Sequence, residues 1–596
     1  MLPSPVAILS FLASTFADHA NASPISSNQV SGSPSTLNWA PCELDFPKTT
    51  KDAITGPVDC ATLNVPLDYT RPNSSETLAL QLIRHNATKE PFKGSIIFNP
   101  GGPGVSGVEE VARLGPKYRD VFGGNYNIIG FDTRGTGETI PFACDLSTFN
   151  DTREITEIPS IRSKRPGLPQ LDLYEILKNK AWDDGKWYAE ACAATEGNEE
   201  IGRFLGTAFV ARDMLQIVDA LNEDGKLRFW GRSYSTDLGQ TFAAMFPDRI
   251  DKMILDSVQK VNDYWTGSWQ TATYGTEVAL DNFFQECITA GPEFCPGIAN
   301  FTGANTTLQN LKDALADSLN DLIEQPIFFP EEIPTGLGWW RPGGLPSFLD
   351  IKYRLLQFNY RPDQWPTLYL IVQPLLAKNW AAFTEVPPQN STEAPGEIEL
   401  PWNKGLNNFH GIGCADGSFR TDTQEDFYSM IQAQQAEGSF SDAFSPQAWV
   451  CAHWPFKAAE RYEGRFENIN TSFPILFVNT ANDPITPLDY AFETASGFLG
   501  SRLLVQNSHG HGIMNHPSNC TIQALHDYMT EGTLPEAGAV CEPNETGFEY
   551  LTKLLAEGGG EGGGLKRSME SPAGLMQGAV KKAKRDRLHL APLDLQ

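Results

Sequence analysis

The sequence predicts an α/β fold in which a mainly parallel sheet is covered by helices on both faces. Short apolar, β-rich segments recur along the chain, and several end in Asn or Asp or lead directly into Gly, as strands do. Apolar residues at helical spacing, from Val210 to Leu221, precede one of these segments. Alternation of strands and helices favours a parallel sheet. The predicted strands are Leu78–Ile83, Ser95–Asn99, Asn127–Phe131, Leu227–Trp230, Met253–Asp256, Ile475–Asn479 and Leu503–Val505.

A chain of 596 residues is longer than one ordinary domain of roughly 100–200 residues. Residues 258–471 interrupt the alternation of strands and helices and contain nine of the thirteen tryptophans. We interpret this interval as an inserted, mostly helical cap. The sheet domain is then formed by residues 39–257 together with 472–556.

The two ends of the chain have the composition of processing and linker segments. An apolar run from Val6 to Phe16, followed by Ala20-Asn21-Ala22, predicts a secretory signal over residues 1–22. A flexible leader over 23–38 follows it. Two Gly triplets and clustered Lys and Arg predict a disordered tail over 557–596. The signal run is too short to span a bilayer, and the pattern predicts a secreted protein without a membrane segment.

Cysteines and glycosylation sequons also indicate the secretory pathway. The chain has ten cysteines and no CxxC pair, which favours disulfides over a zinc site. Sequence alone leaves the connectivity open, and we expect pairing between nearest neighbours. We also expect N-glycans on some of the nine N-x-S/T sites that follow the predicted signal, which are Asn73, Asn86, Asn150, Asn300, Asn305, Asn390, Asn470, Asn519 and Asn544.

The charge of the chain disfavours one class of partner. The formal net charge is −28 at pH 7, and a protein this acidic repels phosphate backbones. We therefore expect no nucleic-acid partner, and we expect a peptide or small-molecule substrate instead.

A candidate nucleophile follows the fourth predicted strand. Gly231-Arg-Ser-Tyr-Ser235 nearly matches G-x-S-x-G, in which a sharp strand-to-helix turn exposes the serine. Serine needs a base, and the base needs an orienting carboxylate. Asp483 follows a later strand, and His509 and His511 follow the next one, so the order is Ser, Asp, His. Either histidine can be the base, and Asp256, after another strand, is the alternative acid.

The segment Asn99-Pro-Gly-Gly-Pro-Gly104 supplies a glycine-rich loop upstream of the serine. Glycines allow backbone N–H groups to turn inward, as an oxyanion requires. We expect the oxyanion donors to be the amides of Gly101 or Gly102 together with that of Tyr234.

Five segments of the chain can be compared with known families. They are Asn99–Gly104, Phe131–Gly137, Gly231–Thr236, Asp483–Pro487 and Gly510-His511. Together they resemble the secreted tripeptidyl aminopeptidase-like branch of the proline iminopeptidase clan, whose members are α/β-hydrolases with a helical cap. The resemblance extends from about residue 39 to residue 541. It implies that Ser233 is the nucleophile and Asp483 the acid. It also implies that His511 is the base, since the family histidine directly follows a glycine. Ser235 stands where the family usually has glycine.

The resemblance implies an exopeptidase that releases short peptides or residues from free N-termini. Binding an ammonium group needs acidic residues, and Glu109, Glu110 and Asp416 are the candidates. No metal or organic cofactor is required. Two alternatives remain open: an esterase or amidase acting on a small metabolite, and an inactive binding protein with the hydrolase fold.

Overall fold

The computed structural model describes residues 37–146, 160–161, 167–327, 347–384 and 406–557. The predicted signal, almost all of the leader and almost all of the tail lie outside these residues. The central sheet has ten strands in the order β1-β2-β3-β5-β4-β8-β9-β10-β11-β12. Its strands are β1 Ala40–Pro41, β2 Asp59–Pro66, β3 Thr77–His85, β4 Ser95–Asn99, β5 Asn127–Phe131, β8 Leu227–Arg232, β9 Ile250–Asp256, β10 Leu476–Asn482, β11 Arg502–His509 and β12 Val540–Cys541. A separate antiparallel ribbon pairs β6 Ser160–Ile161 with β7 Gln170–Leu171.

The sheet is antiparallel at one end and parallel over the rest. Strands β1, β2, β3 and β5 pair antiparallel to one another, and every pair from β5 through β4 to β12 is parallel. The predicted mainly parallel α/β sheet is therefore confirmed. The sequence reading did not predict β2, whose buried and exposed residues alternate, or the two-residue strands β1 and β12.

Nineteen α-helices occur in the described part of the chain. Those before β10 include α1 Lys48–Ala53, α2 Gly107–Val121, α3 Leu173–Ile176, α4 Trp182–Ala194, α5 Asn198–Ile201, α6 Thr207–Leu221 and α7 Tyr234–Met245. Between β9 and β10 lie α8 Val261–Thr266, α9 Thr276–Ala290, α10 Leu308–Glu324, α11 Ser347–Gln357, α12 Trp365–Leu376, α13 Ala381–Thr384, α14 Leu406–Asp416, α15 Gln424–Glu437 and α16 Ser441–Trp449. The last three are α17 Leu488–Ser496, α18 Asn519–Glu531 and α19 Gly547–Glu557.

Helices bury both faces of the sheet. All five residues of β4 are buried, as expected for a central parallel strand. Alternate side chains of β4 enter different cores, because Ile96 and Phe98 pack with residues of α2 and α18 while Ile97 packs on the opposite side. The two cores hold the strands in register, and this places the loops at their carboxyl ends along one edge.

The interval between β9 and β10 is helical in its described residues, which contain no strand. Its helices also receive residues from earlier in the chain. Leu171 donates its backbone N–H to Asp442 at 2.9 Å, and the buried Lys352 forms an ion pair with Asp442 at 2.6 Å. The Lys352 ammonium also donates to the carbonyl of Pro169 at 3.0 Å. The helical layer therefore includes a segment near residues 169–171, which precedes the predicted insertion, as well as helices of the insertion itself.

The ten cysteines form five disulfides, and each joins nearest neighbours in the sequence. The pairs are Cys42–Cys60, Cys144–Cys192, Cys287–Cys295, Cys414–Cys451 and Cys520–Cys541. The expected connectivity is confirmed. Within the described ranges, no helix combines the length and apolar character needed to cross a membrane.

Candidate active site

Four loops meet at the carboxyl edge of the parallel strands. They follow β4, β8, β10 and β11, and they carry the glycine-rich segment, Ser233, Asp483 and His511 respectively. Ligands of open α/β sheets bind outside the carboxyl ends of the strands. The fold therefore brings the candidate residues to the edge where a substrate would be expected.

Ser233 occupies a sharp turn between β8 and α7. Its backbone has φ 58° and ψ −128°, a conformation that is strained for a residue with a side chain. The turn is held by the Ser233 N–H, which donates to the carbonyl of Asp256 at 3.0 Å, and by the Thr236 N–H, which donates to the carbonyl of Ser233 at 2.7 Å. Ser233 is half-buried, so its side chain remains accessible at the mouth of the turn. This geometry is that of a nucleophile elbow.

Asp483 and His511 form a buried pair. His511 Nδ1 lies 3.1 Å from Oδ1 and 3.0 Å from Oδ2 of Asp483. Oδ1 of Asp483 also accepts the backbone N–H groups of Ile485 at 3.0 Å and Thr486 at 2.8 Å, which fix the carboxylate. An imidazole held at Nδ1 presents Nε2 as a proton acceptor, as a general base requires.

The loop that carries His511 is anchored by hydrogen bonds to both the helical layer and the sheet. The His511 N–H donates to the carbonyl of Tyr360 at 2.8 Å, from the helical layer. On the sheet side, the Gly512 N–H donates to Oγ of Ser257 at 2.8 Å, and the Ile513 N–H donates to Asp256 at 3.2 Å.

The Ser233 hydroxyl has no protein hydrogen-bond partner in the ranges that the structure describes. Catalytic hydrogen bonds are often unformed in free enzymes, and rotation about one side-chain bond reorients this hydroxyl.

His509, the other candidate base, has a different partner. Its Nε2 lies 3.1 Å from Glu286 on α9, and its ring stacks on His516 with centroids 5.3 Å apart. The carboxylate of Asp483 contacts His511 instead. Of the two histidines considered as base, the geometry favours His511.

Asp256, the alternative acid, lies close to the pair without contacting the imidazole. Its Oδ1 accepts the Ile513 N–H, and its other oxygen has no hydrogen-bond partner within the described residues. Burial raises the pKa of Asp256 to about 6, an effect opposed by the nearby Arg232 guanidinium. A carboxyl in this setting supports the histidine loop, whereas Asp483 orients the ring.

The glycine-rich loop lies directly against the elbow. A Cβ atom on Gly101, where φ is +103°, would come within 2.4 Å of the Arg232 carbonyl oxygen and 3.0 Å of the Tyr234 nitrogen. Only glycine permits this approach. The loop and the first turn of α7 therefore form one continuous surface beside Ser233.

Of the two glycine amides considered as oxyanion donors, one is already engaged within the protein. The Gly101 N–H donates to Oδ1 of Asn99 at 3.1 Å, so it is not available to a substrate. The amides of Gly102 and Tyr234 have no protein acceptor among the residues described. A pair of free amides beside the nucleophile is what an oxyanion requires.

The three acidic candidates for ammonium binding have different surroundings. Glu110 is buried, accepts from the Tyr118 hydroxyl at 2.7 Å and pairs with Arg232 at 3.0 Å. Its charge is therefore already compensated. Glu109 is half-buried in the first turn of α2 and accepts a hydrogen bond from the Thr50 hydroxyl.

Asp416 is fully buried at the end of α14. Its carboxylate accepts from the backbone N–H of Thr207 at 3.0 Å, the Thr207 hydroxyl at 2.6 Å and the Tyr264 hydroxyl at 2.7 Å. Burial raises the pKa of Asp416 to about 6. Because both oxygens are occupied, Asp416 could bind a substrate ammonium only if these partners moved away.

Two buried groups, Asp416 and His516, contribute to the free energy of unfolding with opposite dependences on pH. The pKa of Asp416 is raised above its ordinary value, so its stabilising contribution is complete below about pH 4 and is lost as pH rises through about 6. Burial lowers the pKa of His516 to about 4, so its contribution is present above about pH 6.5 and is lost as pH falls through about 4.

We therefore expect Asp416→Asn and His516→Gln to show opposite pH effects. Measured by urea unfolding, Asp416→Asn should cost about 1 kcal/mol more at pH 5 than at pH 7.5, because only the native carboxyl takes up a proton at pH 5. His516→Gln should cost about 2 kcal/mol less at pH 5 than at pH 7.5. If the loss of unfolding free energy changed with pH in the same direction in the two variants, these assignments would be contradicted.

Three residues contact the candidate site and were not assigned a role by sequence reasoning. The Thr486 hydroxyl lies 3.3 Å from His511 Nδ1, and Tyr360 supplies the carbonyl that accepts the His511 N–H. Asn99 accepts the Gly101 N–H. Asn99 and Thr486 lie within motifs that the sequence had already identified, whereas no local signal in the sequence distinguishes Tyr360.

The chain is similar to known hydrolases. The profile of the family described as TAP-like protein matches residues 436–541, which include Asp483 and His511. The chain is 25% identical over 523 residues to a tripeptidyl aminopeptidase of Streptomyces lividans, covering 86% of this chain and 87% of that protein. It is 26% identical over 510 residues to the serine protease Hip1 of Mycobacterium tuberculosis, covering 85% and 91%.

A third relative is named for a different activity. The chain is 25% identical over 507 residues to carboxylesterase B of Mycobacterium tuberculosis, covering 81% of this chain and 86% of that protein. All three similarities extend over most of the chain, across both parts of the sheet domain. The protein is a serine hydrolase of the α/β-hydrolase fold and is similar over most of its length to proteins named tripeptidyl aminopeptidase and serine protease Hip1.

Proposed function

We propose that the protein is a secreted exopeptidase that releases short peptides or residues from substrates with a free N-terminus. Ser233 is the nucleophile, His511 the general base and Asp483 the residue that orients the imidazole. The amides of Gly102 and Tyr234 stabilise the oxyanion. The interval 258–471 acts as the cap over the site.

The reaction proceeds through an acyl-enzyme. His511 Nε2 takes the proton from Ser233 as its oxygen attacks the scissile carbonyl, and the imidazolium formed is stabilised by Asp483. The negative charge that develops on the carbonyl oxygen is met by the two amides. The imidazolium then gives its proton to the leaving amine, and water releases the acyl group by the same steps.

One observation carries the proposal. The Asp483–His511 pair, with Nδ1 3.0 Å from the nearer carboxylate oxygen, lies at the same sheet edge as the strained turn at Ser233. Structural turns rarely combine a strained serine, free amides and an oriented histidine. The similarity to two proteins named as peptidases supports the proposal that this protein acts on peptides rather than on other acyl compounds.

The proposal also needs an acidic residue that binds the substrate ammonium. Of the three residues considered, Glu110 is paired with Arg232 and both oxygens of Asp416 are hydrogen-bonded. Glu109 alone is partly exposed, on the helix that follows the glycine-rich loop. We propose Glu109 as the first of the three to test.

Matched peptide arylamides test the exopeptidase proposal. We expect tripeptide arylamides with a free N-terminus to be cleaved at least about tenfold faster, in kcat/KM, than their N-acetylated forms, since a charged hydrogen bond is lost on acetylation. Ser233→Ala provides the background rate. Equal turnover of the free and acetylated peptides would contradict an aminopeptidase and favour the esterase or amidase alternative.

The esterase alternative has one observation in its favour, which is the similarity to a protein named carboxylesterase B. A panel of aryl esters, assayed beside the peptides, distinguishes the two activities. Higher kcat/KM on esters that carry no amine would support that alternative. The inactive binding protein predicts no turnover of either class.

We also propose that the protein is secreted and N-glycosylated. Five disulfides are typical of oxidising compartments, and all seven sequon asparagines in the described ranges are exposed. The other two, Asn150 and Asn390, lie outside those ranges, as does the predicted signal over residues 1–22.

Expression in a eukaryotic secretory host tests this proposal. We expect the protein in the medium, with Ser23 as its first residue and with a mass that decreases on treatment with an N-glycosidase. Replacing the sequon threonine and serine residues by Ala should remove the same mass. Retention in the cell, or a mass that the glycosidase leaves unchanged, would contradict the corresponding part of the proposal.

A further inference from the structure

Ser235 and Asn99 form a buried contact between helix α7 and the glycine-rich loop. The Ser235 hydroxyl donates to Oδ1 of Asn99, and the same oxygen accepts the Gly101 N–H at 3.1 Å. Both side chains are essentially inaccessible to solvent. The amide nitrogen of Asn99 faces the carbonyl of Phe131 at 3.5 Å, which orients the oxygen toward Ser235 and Gly101.

This contact engages one amide of the loop and leaves the next amide without an acceptor among the described residues. The Gly101 N–H points toward Asn99, and the next amide, at Gly102, has no acceptor in the described part of the chain. Gly101 and Gly102 have φ of +103° and +106°, conformations that place successive amides in different directions. The hydrogen bond to the side-chain oxygen of Asn99 therefore fixes the backbone of this part of the loop.

Ser235 ties the same oxygen to the nucleophile helix. Ser235 directly follows Tyr234, whose amide is the second donor without an acceptor. The Ser235 hydroxyl therefore joins the helix that carries the Tyr234 amide to the loop that carries the Gly102 amide. A glycine at position 235, as in the usual motif, has no side chain that could make this connection. The departure at Ser235 thus coincides with a specific contact to the loop.

We propose that Ser235 and Asn99 are positioning residues that hold the Gly102 amide in register with the Tyr234 amide. This inference rests on the proposed function of Ser233. It makes the oxyanion site of this chain dependent on a side-chain hydrogen bond that a glycine at position 235 could not form. A loop displaced by a fraction of an ångström would weaken stabilisation of the oxyanion more than it would weaken binding of the ground state.

Two active-site reagents test the proposal without requiring the natural substrate. A fluorophosphonate probe reports the rate at which Ser233 reacts. An aryl boronic acid forms a tetrahedral adduct on the serine and, in competition with the probe, reports the affinity for a transition-state-like species. The variants are Ser235→Ala and Asn99→Ala. Thr241→Val is the matched control, since it removes another fully buried hydroxyl from α7, one that has no hydrogen-bond partner in the described residues.

We expect Ser235→Ala and Asn99→Ala to bind the boronic acid at least about tenfold more weakly and to react with the probe more slowly by a similar factor, since loss of one whole oxyanion donor costs about 10²–10³. Thr241→Val should match the wild type in both measurements. Thermal unfolding of each variant, measured in parallel, identifies effects on stability alone.

The outcomes separate this inference from the proposed function. If the wild type reacts with the probe but both variants keep its affinity for the boronic acid, the positioning role is wrong and Ser233 keeps its assignment. A lowered unfolding temperature with unchanged boronic acid affinity also overturns the inference, since it shows a purely structural contact. If the wild type does not react at Ser233, the proposed function itself fails.

Discussion

Replacing Ser233 by Ala is expected to lower kcat/KM by about 10⁴-fold or more, because no acyl-enzyme can form without the serine oxygen. The measurement is the hydrolysis of a free tripeptide arylamide by purified wild type and variant. Residual rate in the variant would come from substrate binding and from the amides of Gly102 and Tyr234, which the substitution leaves in place.

The fold of the Ser233→Ala variant should be retained. Ser233 is only half-buried, and its hydroxyl makes no hydrogen bond within the described residues. The thermal unfolding temperature should therefore stay close to that of the wild type. Activity within tenfold of the wild type, in a folded variant, would show that another residue is the nucleophile.

Replacing Asp483 by Asn is expected to lower kcat/KM by about 10³–10⁴-fold. An asparagine can donate to Nδ1 of His511, and this stabilises the tautomer in which Nε2 carries the proton and cannot act as a base. The Oδ1 atom can still accept the N–H groups of Ile485 and Thr486, so the turn after β10 should keep its shape.

Asp256→Asn is the matched control for this substitution. Both aspartates are buried at the ends of neighbouring strands and both contact the loop of His511, but only Asp483 touches the imidazole. We expect Asp256→Asn to keep kcat/KM within about tenfold of the wild type, since an amide oxygen can still accept the Ile513 N–H. A loss of activity in Asp256→Asn as large as that in Asp483→Asn would exchange the two roles.

The central strands could be predicted from the sequence for a clear physical reason. Ser95–Asn99 and Asn127–Phe131 have the bounds that the structure shows, because strands buried on both faces read as continuous apolar runs. Asp59–Pro66 was missed because it buries only alternate residues and begins with polar ones. Loops at the carboxyl ends of the predicted strands then brought the candidate residues into proximity.

Details of the site depend on contacts that a sequence does not contain. The glycine-rich loop could be identified, but its pattern does not say that the Gly101 amide turns toward Asn99 and leaves the Gly102 amide free. Likewise, the carbonyl of Tyr360 reaches His511 from a distant part of the chain. Both features arise from tertiary packing, which overrides what neighbouring residues specify.

The extent of the helical layer could not be predicted for the same reason, because it also depends on tertiary packing. Leu171 and Asp442 are separated by 271 residues, and their hydrogen bond joins chain assigned to the sheet domain with chain assigned to the insertion. Composition changes near residue 258 are the basis on which the start of the insertion was predicted. They carried no information about the earlier segment that packs against it.

Mapping of a covalent probe by mass spectrometry tests the central claim most directly. The purified wild-type protein is treated with a fluorophosphonate, digested and sequenced by tandem mass spectrometry. We predict one modified residue, Ser233, and no modification when His511 is replaced by Ala or when Ser233 is replaced by Ala. An adduct on a different residue, or an unmodified Ser233 in a folded wild-type protein, would contradict the assignment of Ser233 as the nucleophile of a serine hydrolase.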